Sequence, residues 1–79
     1  MQVTLREWRI QKVLTQKDLA ELAGIAEVTI ASIERGVQLP SPRTSRKLAE
    51  ALGIEPTQIE EVRKAIERQL AKKDLASVG

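Results

Sequence analysis

Two short amphipathic segments joined by a glycine constrain this chain more than any other feature. Residues 15–36 read TQKDLAELAGIAEVTIASIERG. Thr15 is a helix N-cap, and Asp18, three residues on, completes a capping box with a shorter side chain than the usual Glu. The helix that follows spans Gln16 to Ala23, with its apolar face on Leu19, Leu22 and Ala23. Gly24 can adopt positive φ and end that helix in a tight turn. A second helix runs from Glu27 to about Arg35, buries Ile30 and Ile33, and stops at Gly36. Two helices hinged this closely form a corner, and a corner needs other elements behind it.

The flanking sequence supplies them. Thr4 caps a first helix reaching about Lys12, with Leu5, Trp8 and Ile10 on its inner face. Val37 to Pro42, with two prolines, is a loop. Ser41 followed by Pro42 is a helix-start signal, and that helix runs to Leu52 with Leu48, Ala49 and Leu52 inward and Gly53 at its end. Pro56 opens a fifth helix extending towards Leu75, with a stripe of Ile59, Val62, Ile66 and Leu70 at 3-4-4 spacing. No strand signal or internal repeat is visible. The expectation is an all-α fold of five helices: a helix-turn-helix unit over residues 1–60 and a helical extension over 61–79.

Composition narrows the chemistry. Seventy-nine residues make one domain, and with Trp8 as the sole aromatic the core must be built from Leu, Ile, Val and Ala. The chain has no Cys and no His. That removes disulfides, thiolate ligands and nucleophiles, and the commonest general base and zinc ligand. No metal site, cofactor or catalytic residue is expected. The carboxylates are scattered over solvated helix faces, and the Glu60-Glu61 pair points in adjacent directions on a helix and frames no cleft. No apolar run approaches the roughly 20 residues of a membrane span, and Met1 opens no signal-peptide pattern, so a cytoplasmic location is expected. The formal charge is only +2, but residues 1–53 carry eight basic against six acidic groups, whereas residues 54–79 carry five of each. The excess therefore sits where a local patch would serve phosphate binding.

The corner of residues 15–36 has the plan of a DNA-binding helix-turn-helix, whose second helix lies in the major groove. Taken with its surroundings, the sequence resembles the phage-repressor and Cro family of helix-turn-helix regulators, often called Xre-like. The resemblance runs without a gap from Leu5 to about Ile59. It rests on Leu5 to Arg9, Thr15-Gln16, Leu19-Ala20, Gly24-Ile25, Ile30, the Ile33-Glu34-Arg35-Gly36 helix end, Pro40, Leu48-Ala49 and Leu52-Gly53-Ile54. Some positions depart from the pattern. Val13 stands where Gly is usual, Ala26 replaces a Ser or Thr cap, and Pro42 and Ser45 occupy sites that are commonly Leu-like.

The resemblance implies a partly buried ion pair between Arg9 and Glu34, which the planar fork of Arg suits. It also implies a recognition helix read from its N-terminal turn. Glu27 can accept from a cytosine amino group, Val28 or Thr29 can pack on a thymine methyl, and Ser32 can bond either base edge. Glu27 equally answers to a first-turn carboxylate favoured by the helix dipole. Gln16, Lys17, Arg35, Arg43 and Arg46 are the candidate phosphate contacts. The expected function is transcriptional regulation on double-stranded DNA by a homodimer on a palindromic operator. Val62, Ile66 and Leu70 would form the subunit contact, and the polymerase is a further partner if the protein activates. The size also resembles restriction–modification controllers and small phage regulators. The alternative is an antitoxin or other interaction module whose last helix docks a toxin.

Overall fold

The computed structural model describes the backbone from residue 3 to residue 78 and side chains as far as Lys72. Leu75, expected on the last helix stripe, lies outside the described side chains. Five α-helices occur in the order α1 (Leu5–Gln11), α2 (Gln16–Ala23), α3 (Glu27–Glu34), α4 (Pro42–Leu52) and α5 (Glu60–Val78), with a short 3-10 turn at Pro56–Gln58.

Local chemistry sets these boundaries. Thr4 and Thr15 each accept a bond from the amide three residues on, while Glu7 and Asp18 reach back to the cap amides. Those bonds stabilise the ionised carboxylates, so Glu7 and Asp18 both titrate below the ordinary carboxylate values. Ser41 caps α4 by accepting from the Thr44 amide, with Pro42 at the first helical position. Ala26 provides no side-chain cap to α3.

The core gathers Leu5, Leu19, Ala20, Ala23, Ile30, Ile33, Leu48, Leu52, Ile59 and Val62 into one cluster, with Trp8, Leu14, Ile25, Ala51 and Ile54 packed around it. α2 packs on both α3 and α4, so the two-helix corner is held from behind. Trp8 is half-buried, and its indole N–H donates to the Gln58 carbonyl at 2.8 Å. It ties α1 to the 3-10 turn while its ring packs against the core.

Several expectations are corrected. Leu22 is 62 % exposed. It lies roughly 100° around α2 from the buried face of Leu19, Ala20 and Ala23, at the rim of a groove shared with Lys47, Glu50 and Ala51. Ile10 is likewise exposed on α1. Pro56 opens the 3-10 turn, not the fifth helix, and Ile59 is extended before α5 begins. There Ile59 pairs in parallel with Val3, a single bridge with the Glu60 amide donating to the Val3 carbonyl at 2.9 Å. The chain's two distant segments therefore meet edge to edge.

Glu61 is the larger surprise, because it is buried and not on a solvated face. Its Oε1 accepts from the Leu5 amide at 2.8 Å. A carboxylate from residue 61 thus satisfies one of the free amides at the start of α1. Ser45 is also buried. Its small side chain lines a groove of about 190 Å³ between α4 and α5, bordered by Pro40, Pro42, Val62, Ala65 and Ile66.

Val13 carries positive φ, at 57°, with its side chain 88 % exposed. A β-branched residue in this region costs on the order of 1–2 kcal/mol, and here it makes little compensating contact. Val13→Gly should therefore raise stability by about 1 kcal/mol, read as a higher urea midpoint with unchanged slope. An unchanged or lower midpoint would contradict the strain.

Candidate nucleic-acid interface

The interface is built on α3. Ile30 and Ile33 are almost completely buried, which fixes the helix roll and turns the opposite edge outward. That edge carries Glu27 and Val28, both exposed, then Thr29 and Ser32, both half-buried, and Arg35 exposed at the C-cap. Val28, Ser32 and Arg35 fall at i, i+4 and i+7, a single line along the helix. Gly24, at φ 70°, makes the turn that brings α3 across α2.

One hydrogen-bonded cluster sets the angle between the elements. Arg9 of α1 donates from Nε to Glu34 Oε2 at 2.7 Å and from Nη2 to Glu34 Oε1 at 3.1 Å. Its Nη1 donates to the Leu14 carbonyl at 2.9 Å. Gln16, at the start of α2, donates from Nε2 to Glu34 Oε1 at 3.1 Å. The carboxylate at the end of α3 is thus gripped by α1 and α2 together. Both partners are well covered, Arg9 at 13 % and Glu34 at 4 % side-chain exposure. The hydrogen bond to Glu34 raises the Arg9 pKa above its ordinary value despite the opposing effect of burial, so the guanidinium stays charged.

The candidate phosphate contacts divide. Lys17 is exposed on the first turn of α2, one residue from the half-buried Gln16, whose amide is engaged with Glu34. Arg43 is exposed on the first turn of α4. Arg46 is exposed as well, but it lines the α4–α5 groove with Val62 and Ile66, which includes no residue of α3. Of the expected subunit-contact residues, Val62 is buried in the domain's own core, leaving Ile66 and Leu70 exposed. Sequence reasoning missed the second role of Gln16, as a strut between α2 and α3. Its spacing from Glu34 carries no periodic signal.

Among the described residues no cluster of carboxylates has the makings of a metal site. No helix there is long and apolar enough to cross a membrane.

Comparison with known proteins agrees with this geometry. The helix-turn-helix family model matches residues 5–59. An uncharacterised HTH-type transcriptional regulator of Methanothermobacter thermautotrophicus is 40 % identical over 55 residues, covering 70 % of this chain and 80 % of the relative. The crystal structure of the restriction–modification controller protein C.AhdI from Aeromonas hydrophila is 42 % identical. It superposes with a TM-score of 0.66 over 68 % of this chain and 82 % of its own. The chain belongs to the helix-turn-helix family. It is a DNA-binding transcriptional regulator and not an enzyme.

The Arg9–Glu34 pair gives a direct test. Removing one partner of a well-covered ion pair leaves the other uncompensated, at a cost of about 3–5 kcal/mol. Arg9→Ala and Glu34→Ala should each lower stability by about 3 kcal/mol in urea unfolding followed by Trp8 fluorescence. The double change Arg9→Ala with Glu34→Ala should cost clearly less than the sum of the two single losses. Additive losses would show that the two side chains act independently.

Proposed function

We propose that this regulator binds a palindromic operator as a homodimer, with the two α3 helices entering successive major grooves about 34 Å apart. The observation that carries the reading is the outward line of α3. It combines an acidic group, a methyl-bearing pair and a hydroxyl at its N-terminal turn, on a helix whose opposite edge is locked into the core. Glu27, Val28, Thr29 and Ser32 read base edges, while Lys17, Arg35 and Arg43 hold phosphates. Gln16 reaches the backbone from the start of α2 with the second hydrogen of its amide nitrogen, the first staying with Glu34 Oε1.

The exposed Ile66 and Leu70, continuous with the groove lined by Pro42, Ser45 and Arg46, support a subunit contact through α4 and α5. In this reading residues 1–60 carry the DNA-binding unit and 61–79 the dimerisation element, and Arg46 belongs to the subunit surface. Likeness to a restriction–modification controller supports a role of that kind in the cytoplasm. Repression follows if the operator overlaps a promoter, and activation if the bound dimer touches the polymerase.

Selection from random duplexes at a fixed salt concentration should recover a palindrome with half-sites one helical turn, or a multiple of it, apart. Val28→Phe or Ser32→Leu should alter the preferred bases. Arg43→Ala should weaken binding to all sequences alike and reduce the salt slope by about one for each protomer, about two for the dimer. Recovery of no preferred sequence would sink the reading.

Sedimentation of the purified chain should give twice the monomer mass, and Leu70→Asp should give monomers that bind the operator more weakly. A monomeric parent that aggregates unless a second protein is supplied would instead favour an interaction module such as an antitoxin.

A further inference from the structure

α5 presents two exposed faces, and only one of them is apolar. Lys64, Arg68 and Lys72 recur every four residues. At 100° per residue, Arg68 lies roughly 160° around the helix from both Ile66 and Leu70. A second copy seated on the apolar face would therefore leave the basic one free. The basic face runs beside the end of α3 and the loop that follows. Lys64 and Arg68 share one groove with Arg35, Gly36 and Leu39. Arg68 and Lys72 share the next with Gln38, Leu39 and Pro42.

The acidic groups beside this face are already engaged. Glu34 is held by Arg9 and Gln16, Glu61 accepts from the Leu5 amide, and Glu60 lies 3.8 Å from Lys64. Among the described residues, Arg35, Arg68 and Lys72 form no ion pair. Three uncompensated cations thus border one surface. That surface meets the outward line of α3 at Arg35.

We propose that Arg68 and Lys72, with Arg35, bind backbone phosphates of the duplex beyond the C-terminal end of α3. The proposal rests on α3 being the helix that enters the major groove. Four residues of helix advance about 6 Å, against one phosphate per roughly 3.4 Å of duplex axis on each strand, so Arg68 and Lys72 meet separate phosphates. The contact is electrostatic and blind to sequence, so it adds affinity and register but no base preference. α5 thereby serves DNA directly as well as closing the fold.

The test compares the full chain with Arg68→Gln, Lys72→Gln and their combination on the selected operator and on a scrambled duplex. Arg6→Gln, on the exposed face of α1, is the control. Fluorescence anisotropy between 50 and 200 mM KCl gives the slope of log K against log salt. On the dimer, where each substitution is present twice, each single change should flatten that slope by about 1.8 and the pair by about 3.6, with the operator-to-scrambled ratio unchanged. Arg68→Lys should keep the parent slope, and sedimentation should show unaltered mass. A double variant whose slope matches Arg6→Gln overturns the proposal while leaving α3 as the reading helix. A parent chain that binds neither duplex overturns both.

Discussion

Glu34 is the carboxylate on which the geometry of this protein turns. It sits at the end of α3 and ties three helices together through three side chains: its own, Arg9 of α1 and Gln16 of α2. Arg9 adds the Leu14 carbonyl, so the turn between α1 and α2 is fixed by the same guanidinium. Hydrophobic packing alone would hold α3 against α2, but apolar contact is non-directional and tolerates rotation. The bidentate fork is directional. It converts a packed helix into an aimed one, which base reading requires.

The start of α5 and the segment before it make distant parts of the chain interdependent. Glu61 reaches the first amide of α1, and the Val3–Ile59 pairing and the Trp8–Gln58 bond lie alongside. A small domain without disulfides gains from such closure, because the segment leading into α1 would otherwise fray most easily. The same helix then leaves the core. Among the described residues its buried groups end at Val62, and the side chains beyond it are half-buried or exposed. Apolar and basic residues are segregated onto opposite sides there, so the proposed subunit and DNA contacts do not compete for surface.

Departures from the family's usual residues fall where the fold can absorb them. Val13 takes the left-handed conformation in spite of its side chain, because the Arg9–Leu14 contact and the Val13 amide bond to Ile10 hold the turn. Ala26 leaves α3 without a side-chain cap, but Ile30 and Ile33 anchor the helix regardless. Ser45 leaves room between α4 and α5, so the change creates a groove. In each case tertiary packing outweighs a local preference of roughly 1 kcal/mol.

Periodicity, caps and glycines determined most of the architecture on their own. Thr15 with Asp18, Gly24, Ser41-Pro42 and Gly53 mark helix ends through bonds and dihedrals that reach only a few residues, so α2 and α4 were legible to the residue. The family resemblance placed Arg9 opposite Glu34 and gave the outward edge of α3. What a one-dimensional pattern does not carry is which apolar residue faces a neighbour and which faces water. Leu22 and Ile10 fit an amphipathic stripe as well as Leu19 does, and only the positions of α3 and α4 exclude them. Ile66 continues the stripe of Val62, yet the core ends between them. Burial of Glu61, the Val3–Ile59 bridge and the approach of Arg68 to Arg35 join residues more than 30 positions apart. Such meetings depend on how the helices pack in three dimensions, and no local signal encodes them.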